Sequence, residues 1–241
     1  MSESHNEENA PPFLRPGEVR SAAEEPILIT SELLDRPQAD VRIDFERGIR
    51  HTPPITLTLL AVNTLAFIWE VAIGALANQK ALLAAGALHR PEVMRGEYWR
   101  LASSMFLHAD PQHLIGNCVA LYILGMAGEH AFGRSRFLVV YLLSGLAGSL
   151  ATVLTDPRPT VGASGAIFGM LGAVIAFLYR YRNRFYVRDA RIGVVLAVWA
   201  VYQLGSGWLN PHIANMAHLG GFVGGALLAL LVPGREASRA P

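Results

Sequence analysis

The chain has 241 residues, 52% of them hydrophobic and 16% charged, with a formal net charge of +1 and a mean hydropathy of +0.32. That balance excludes an ordinary water-soluble domain of this size and fits a multi-span membrane protein. The basic residues are scattered between apolar segments without an aromatic-basic stripe, which argues against nucleic-acid binding, and the one cysteine, Cys118, excludes an intramolecular disulfide.

Charge is unevenly spread along the chain. Residues 1–50 hold 11 acids and 6 bases, a net −5, and the remainder holds 14 bases against 8 acids, a net +6. The acidic, polar start reads neither as a signal peptide nor as a mitochondrial transit peptide. Residues 1–52, rich in Glu, Pro and Ser with a short apolar patch at Ile27-Leu28-Ile29, are expected to form a mostly flexible N-terminal tail. A small folded element over about 26–47 stays open.

Six apolar segments follow, at roughly 55–77, 113–129, 137–154, 163–180, 192–209 and 213–232. A bilayer core takes about 20 apolar residues per helix. The first and last segments meet that length, and the middle four fall slightly short, as helices starting inside a protein-lined cavity would. Residues 53–233 are therefore expected to form a six-helix membrane domain, and 234–241 a short C-terminal tail. The long amphipathic stretch 78–112 is expected to be partly helical and to lie at the interface. Arginine sets the orientation: with both termini inside, the inner flanks carry thirteen basic residues, Arg180 to Arg191 most densely, against five outside. Both termini are accordingly expected on the cytoplasmic side.

Two polar groups stand out at membrane depth, where ionisable residues are expensive and functional by default. Ser164 lies in Gly162-Ala163-Ser164-Gly165, after the turn-forming run 155–160 and before a helical run. A helix N-terminus offers free N–H groups and a positive dipole end to a developing oxyanion. The same motif also reads as a capping serine with a GxxxG packing face at Gly165 and Gly169. His218 sits in Ala217-His218-Leu219-Gly220-Gly221, on a helix whose Gly221 and Gly225 share its face. Pressed against the Gly165/Gly169 face, it would bring an imidazole, the usual base for a serine nucleophile, to the hydroxyl. A histidine bonded to a neighbouring backbone carbonyl is the plainer alternative.

His113 and Asn117, one turn apart, could point two donors at one oxyanion, or make a helix–helix hydrogen bond. His108 and Asp110 read as structural groups nearer the outer surface. No His-Glu-x-x-His occurs, so a metal site is not expected. Asp156 and Asp189 fall in loops, which removes an aspartyl mechanism. Glu70 and Glu129 remain as buried acids. Glu129 reads as a helix-terminus anchor, and neither is placed to orient His218, so a Ser–His dyad is expected rather than a triad.

These elements together resemble the rhomboid family of intramembrane serine proteases. The Gly-x-Ser-Gly-x-x-(Tyr/Phe) motif matches 162–168, the Ala-His-x-x-Gly helix matches 217–221, and the His-x-x-x-Asn pair matches His113 and Asn117. The Trp-Arg loop element matches Trp99 and Arg100, followed by Phe106-Leu107-His108. The resemblance covers about 53–233 and implies an all-α, six-transmembrane-helix rhomboid-like bundle, with a long interfacial loop between helices 1 and 2 and a water-filled cavity opening outward. It implies Ser164 as nucleophile, His218 as base, and His113, Asn117 and the Ser164 N–H as the oxyanion hole. Phe168 would stack on His218, where relatives with Tyr add a hydroxyl. Gly162 and Gly165 would let a substrate approach, and Trp99 and Arg100 would shape the loop.

The function so implied is cleavage of single-span transmembrane substrates near the outer face, in a cell membrane such as a bacterial inner membrane, with no cofactor, metal or nucleic acid. A membrane chaperone or substrate receptor on the same scaffold is the competing expectation. A channel ranks last, because the inner halves of the segments are almost free of polar residues. Trp199 and Trp208 read either as gate residues of the fifth helix or as packing.

Overall fold

The first long helix begins where proline permits it. Pro54 occupies the first turn, where its fixed φ suits a helix and its missing N–H is no loss, and α1 runs over Pro54–Ala72 before the chain turns at Gly74, φ +73°. In this computed structural model, residues 43–50, 52–186, 190–209 and 214–234 are described. The Ile27-Leu28-Ile29 patch, most of the expected N-terminal tail, Arg188 of the basic loop, and Arg235 and Arg239 of the C-terminal tail lie outside them.

After α1 come three short helices, α2 (Gln79–Ala85), α3 (Arg90–Met94) and α4 (Arg100–Ser103), then a 3-10 turn at Ser104–Phe106. The stretch expected to be partly helical is so. Four long helices follow: α5 (Pro111–Phe132), α6 (Arg134–Thr155), α7 (Ser164–Arg180) and α8 (Ala190–Leu209). The last is α9 (Asn215–Leu231). Asp110 caps α5 by accepting the His113 N–H at 2.8 Å, with Pro111 at the first helical position. Gly133, φ +76°, ends α5 and starts α6 in one residue.

Helix lengths depart from the hydropathy windows. Two middle helices, α5 and α6, have 22 residues each, whereas α1 has 19 and α9 has 17. Caps and glycines, not the apolar run, set where these helices stop. Among the described residues, α1, α5 and α6 are long and apolar enough to cross a membrane, with mean hydropathies of 1.7, 1.2 and 2.1, and α7 and α9 are shorter apolar helices. Their outward faces carry large apolar side chains such as Leu65, Ile68, Leu154, Leu227 and Leu231, a distribution that suits lipid rather than water.

The bundle is built around α7. Twelve of its residues, from Ser164 to Phe177, are buried, and it packs most closely on α9. Small residues make that approach possible: a Cβ at Gly221 would lie 2.0 Å from the Gly165 carbonyl oxygen, and one at Gly225 would lie 1.9 Å from that of Gly169. Backbones this close gain dispersion contacts along the whole seam, the main attraction between helices in lipid. Tyr141, Phe132, Phe137, Phe177, Leu121 and Leu124 fill the core between α5, α6 and α7.

Within residues 1–52, where the sequence left a folded element over about 26–47 open, residues 43–50 form a short strand and a 3-10 turn. Strand β1 (Ile43–Asp44) pairs in parallel with β2 (Phe185–Tyr186), on the chain between α7 and α8. Phe45 is 4% exposed and packs on the rings of His130, Phe177 and Phe185. One aromatic in a polar stretch gave too little signal to predict this.

Candidate active site

Ser164 is the first residue of α7, and the preceding Ala163 caps without a side chain, so the serine hydroxyl is not spent on the helix end. The chain reaches it through Gly162 at φ +132°, a conformation that L side chains rarely adopt. The Gly162 N–H donates to the Ser104 carbonyl at 2.9 Å, and Leu88 and Thr160 form a two-bond antiparallel bridge. The serine turn is thus tied to the 78–110 segment on one side and to α7 on the other.

His218 is the fourth residue of α9, and the glycine seam brings its Nε2 to 2.9 Å from the Ser164 Oγ. Both residues are buried, His218 at 3% and Ser164 at 8% exposure. With a neutral imidazole whose Nε2 carries the lone pair, the hydroxyl donates to Nε2. His218 Nδ1 has no hydrogen-bond partner among the described residues. Among the described residues no acid orients the ring. Aromatic stacking does instead: Phe168 lies 4.4 Å from it at an interplanar angle of 10°, and Trp199 of α8 stacks on Phe168 at 5.1 Å. The side chain of Trp208, the other gate candidate, lies outside the described residues.

His113 and Asn117 flank the same spot. A Cβ on Gly162 would fall 2.6 Å from His113 Cε1, 2.9 Å from its Nε2 and 3.7 Å from Asn117 Nδ2. Asn117 is 2% exposed and its Nδ2 has no acceptor among the described residues. A buried amide donor left unpaired is costly unless something else uses it. Next to Gly165 and Gly162 lies a cavity of about 20 Å³ whose polar lining includes Ser104, Ser149, Thr152 and Thr160, room for about one water-sized group.

Trp99 and Arg100 make their contacts within their own segment. Arg100 is 6% exposed and pairs with Glu97 at 2.7 Å, while its guanidinium donates to the Leu83 and Ala87 carbonyls and covers the Trp99 ring at 4.6 Å. Both side chains hold the α2–α4 segment together. Asp110 is structural, as expected. His108 is 0% exposed, with its ring edge-on to His113 at 5.3 Å. Burial, and then the neighbouring His113, push the His108 imidazole down to about 4, so it is neutral at physiological pH.

Glu129, read from sequence as a helix-terminus anchor, and Glu70, left without a role, both hold backbone. Glu129 accepts from the N–H and, at 2.9 Å, from the hydroxyl of Thr56, which anchors the start of α1. Glu70 accepts the His108 N–H. Sequence reasoning missed the cavity-lining Ser104, Ser149 and Thr152. Isolated Ser and Thr in apolar helices carry no signal of a shared wall.

The Rhomboid domain family matches residues 95–235, more than half of the chain. Rhomboid protease GluP of Bacillus subtilis is 37% identical over 177 residues, 73% of this chain and 34% of the relative. RHOMBOID-like protein 5 of Arabidopsis thaliana is 41% identical over 154 residues, 61% of this chain and 48% of the relative. Rhomboid protease AarA of Providencia stuartii is 28% identical over 211 residues, 74% of this chain and 73% of the relative. The chain thus spans between a third and a half of the length of the first two. With a helical bundle, membrane-length apolar helices and the matched domain in agreement, this chain belongs to the rhomboid family of membrane proteins.

Proposed function

We propose that the chain is an intramembrane serine endopeptidase that cleaves single-span transmembrane proteins near the outer face, with Ser164 and His218 as a catalytic dyad. The observation that carries this reading is the 2.9 Å contact between Oγ and Nε2, made by two helices that press together through glycines. In this reading α1 and α5–α9 are the six spans, with both termini cytoplasmic and the site open to the outer side of a cell membrane such as a bacterial inner membrane.

The chemistry follows from the placement of each group. As the Ser164 oxygen attacks the scissile carbonyl, its proton passes to His218 Nε2. The carbonyl oxygen becomes an oxyanion facing the Ser164 N–H, Asn117 Nδ2 and the His113 ring, and each such donor is worth about 3–4 kcal/mol in the transition state. His218 then gives its proton to the leaving amine, leaving an ester on Ser164. A water, deprotonated by His218, hydrolyses that ester and restores the serine. The polar cavity beside Gly162 could hold such a water or a small substrate side chain. A neutral resting dyad needs no permanent charge at membrane depth. Phe168 and Trp199 hold the imidazole flat, the task an acid performs in a triad. Gly162 and Gly165 leave room for a substrate backbone, while Trp99 and Arg100 support the site at a distance by fixing the loop. A substrate helix must unwind locally, because its intrahelical hydrogen bonds shield the carbonyl under attack.

The test uses purified full-length protein in proteoliposomes with a panel of single-span substrates and a serine-reactive phosphonate. The wild type is expected to cleave and to label, and Ser164→Ala and His218→Ala to do neither. A folded wild type that neither cleaves nor labels would point to a chaperone or receptor on the same scaffold.

A further inference from the structure

Helix α1 turns three polar residues inward at heptad spacing. Thr56, Asn63 and Glu70 are each 0% exposed, on a helix that starts and ends before the matched domain begins at residue 95. Thr56 is held by Glu129, as described above. Glu70 stands at the opposite end, 14 residues further on, with its carboxylate wholly inside the protein.

Its partner is a backbone group. The His108 N–H donates to Glu70 at 3.0 Å to Oε2 and 3.2 Å to Oε1. His108 belongs to the link 107–110, between the 3-10 turn and α5, where no helix or strand supplies an acceptor for that N–H. A buried N–H without a partner costs about as much as a lost hydrogen bond. A carboxylate is an expensive way to satisfy it at this depth, so the position of the link must matter.

What the link positions is His113. The His108 ring meets the His113 ring edge-on at 5.3 Å, and Asp110, at the end of the link, accepts the His113 N–H at 2.8 Å. The His113 ring in turn faces Gly162. From Glu70 to the oxyanion donor there is one hydrogen bond, four residues of chain and one ring contact.

We propose that Glu70 is a positioning residue: by holding the His108 N–H it fixes the 107–110 link and so aims His113 at the oxygen of a bound substrate carbonyl. The proposal rests on the Ser164–His218 reading for its catalytic consequence, but the bond and the order of the link can be measured without it. What matters is an acceptor oxygen at this position, so glutamine serves and leucine does not.

The experiment compares Glu70→Leu and Glu70→Gln with the wild type as full-length protein in proteoliposomes. Substrate cleavage is normalised to phosphonate-labelled Ser164, and amide exchange over 105–117 is followed by mass spectrometry. Glu70→Leu is expected to lower kcat about 10–100-fold with KM within about twofold, and to speed exchange in 105–117. Glu70→Gln is expected to restore both to within about threefold of the wild type. Normalising to labelled serine separates this from simple loss of folded protein. If Glu70→Leu does not accumulate, Glu70→Ala replaces it with the same expectations. Wild-type kcat and exchange in the leucine or alanine variant overturn the proposal, as does a kcat loss that glutamine fails to restore. If the wild type itself is neither active nor labelled, the dyad reading fails separately. The exchange comparison then still decides whether Glu70 holds the link.

Discussion

Gly225 offers a direct test of whether the α7–α9 seam sets the dyad. A Cβ there would lie 1.9 Å from the Gly169 carbonyl oxygen and 2.5 Å from its carbon, and neither is a flexible side-chain end that could move aside. Restoring an ordinary contact of 3.4 Å in Gly225→Ala requires about 1.5 Å of separation between the two backbones. Gly225 is two turns from His218, so if only half of that displacement reaches the imidazole, the 2.9 Å contact to Ser164 opens beyond bonding reach. Overpacking of this kind costs about 1–3 kcal/mol of stability. A base displaced by about 1 Å costs about 100-fold in rate. Cleavage per folded molecule and phosphonate labelling should both fall by about that factor in Gly225→Ala. Gly116→Ala on α5 is the control, because nothing lies within 4 Å of the added methyl, and it should leave both unchanged. A Gly225→Ala variant with wild-type kcat and labelling would refute the claim that this seam sets the dyad distance.

Asn117→Ala removes an unpaired buried donor and should lower kcat about 100–1,000-fold with KM little changed, measured on one transmembrane substrate. Glu129→Ala leaves the Thr56 N–H and hydroxyl without their acceptor and should cost about 1–3 kcal/mol of stability, read as a lower thermal midpoint in detergent. His108 gives a pH dependence with a defined sign. Its folded value near 4 lies below an unfolded value near 6.5, so between these pH values the unfolded chain binds more protons and stability falls as the solution is acidified. The full effect is about 3 kcal/mol, and a His108→Phe variant should show a flatter thermal midpoint across that window. Asp156, held below the usual carboxylate range by its hydrogen bond and ion pair with Arg158, stabilises the fold above its unfolded value near 4. That contribution is lost as pH falls through the folded one, and Asp156→Asn should remove this acid limb in the same titration.

Much of the site could be read from the chain because its signals are local. Gly162-Ala163-Ser164-Gly165 places a hydroxyl between glycines after a turn-forming run, which is enough to set it at a helix start. Phe168 falls one turn after Ser164, and the stacking expected of it is found. Pro54 and Pro111 start α1 and α5, one and two residues before the apolar windows, and the windows also misplaced both ends because Gly74 and Gly133 stop these helices. Trp99 and Arg100 were read as shaping the stretch between the first two long helices, and in the structure Arg100 begins the short helix α4 with Trp99 as its cap. The partners of Arg100, Glu97 and the Leu83 and Ala87 carbonyls, were not legible, since a motif gives order along the chain and not contacts in space.

What the sequence by itself determined is which groups are available and which helix end, turn or face each occupies, because caps, positive-φ glycines and apolar runs act over a few residues. Tertiary structure alone decided the pairings: His218 against Ser164, 54 residues apart, Glu70 on the His108 backbone, 38 apart, and Phe45 among the rings beneath α7. The physical reason is that such contacts depend on how closely whole helices approach. That approach is set jointly by small residues on two elements, Gly165 and Gly169 facing Gly221 and Gly225, and neither element states it alone.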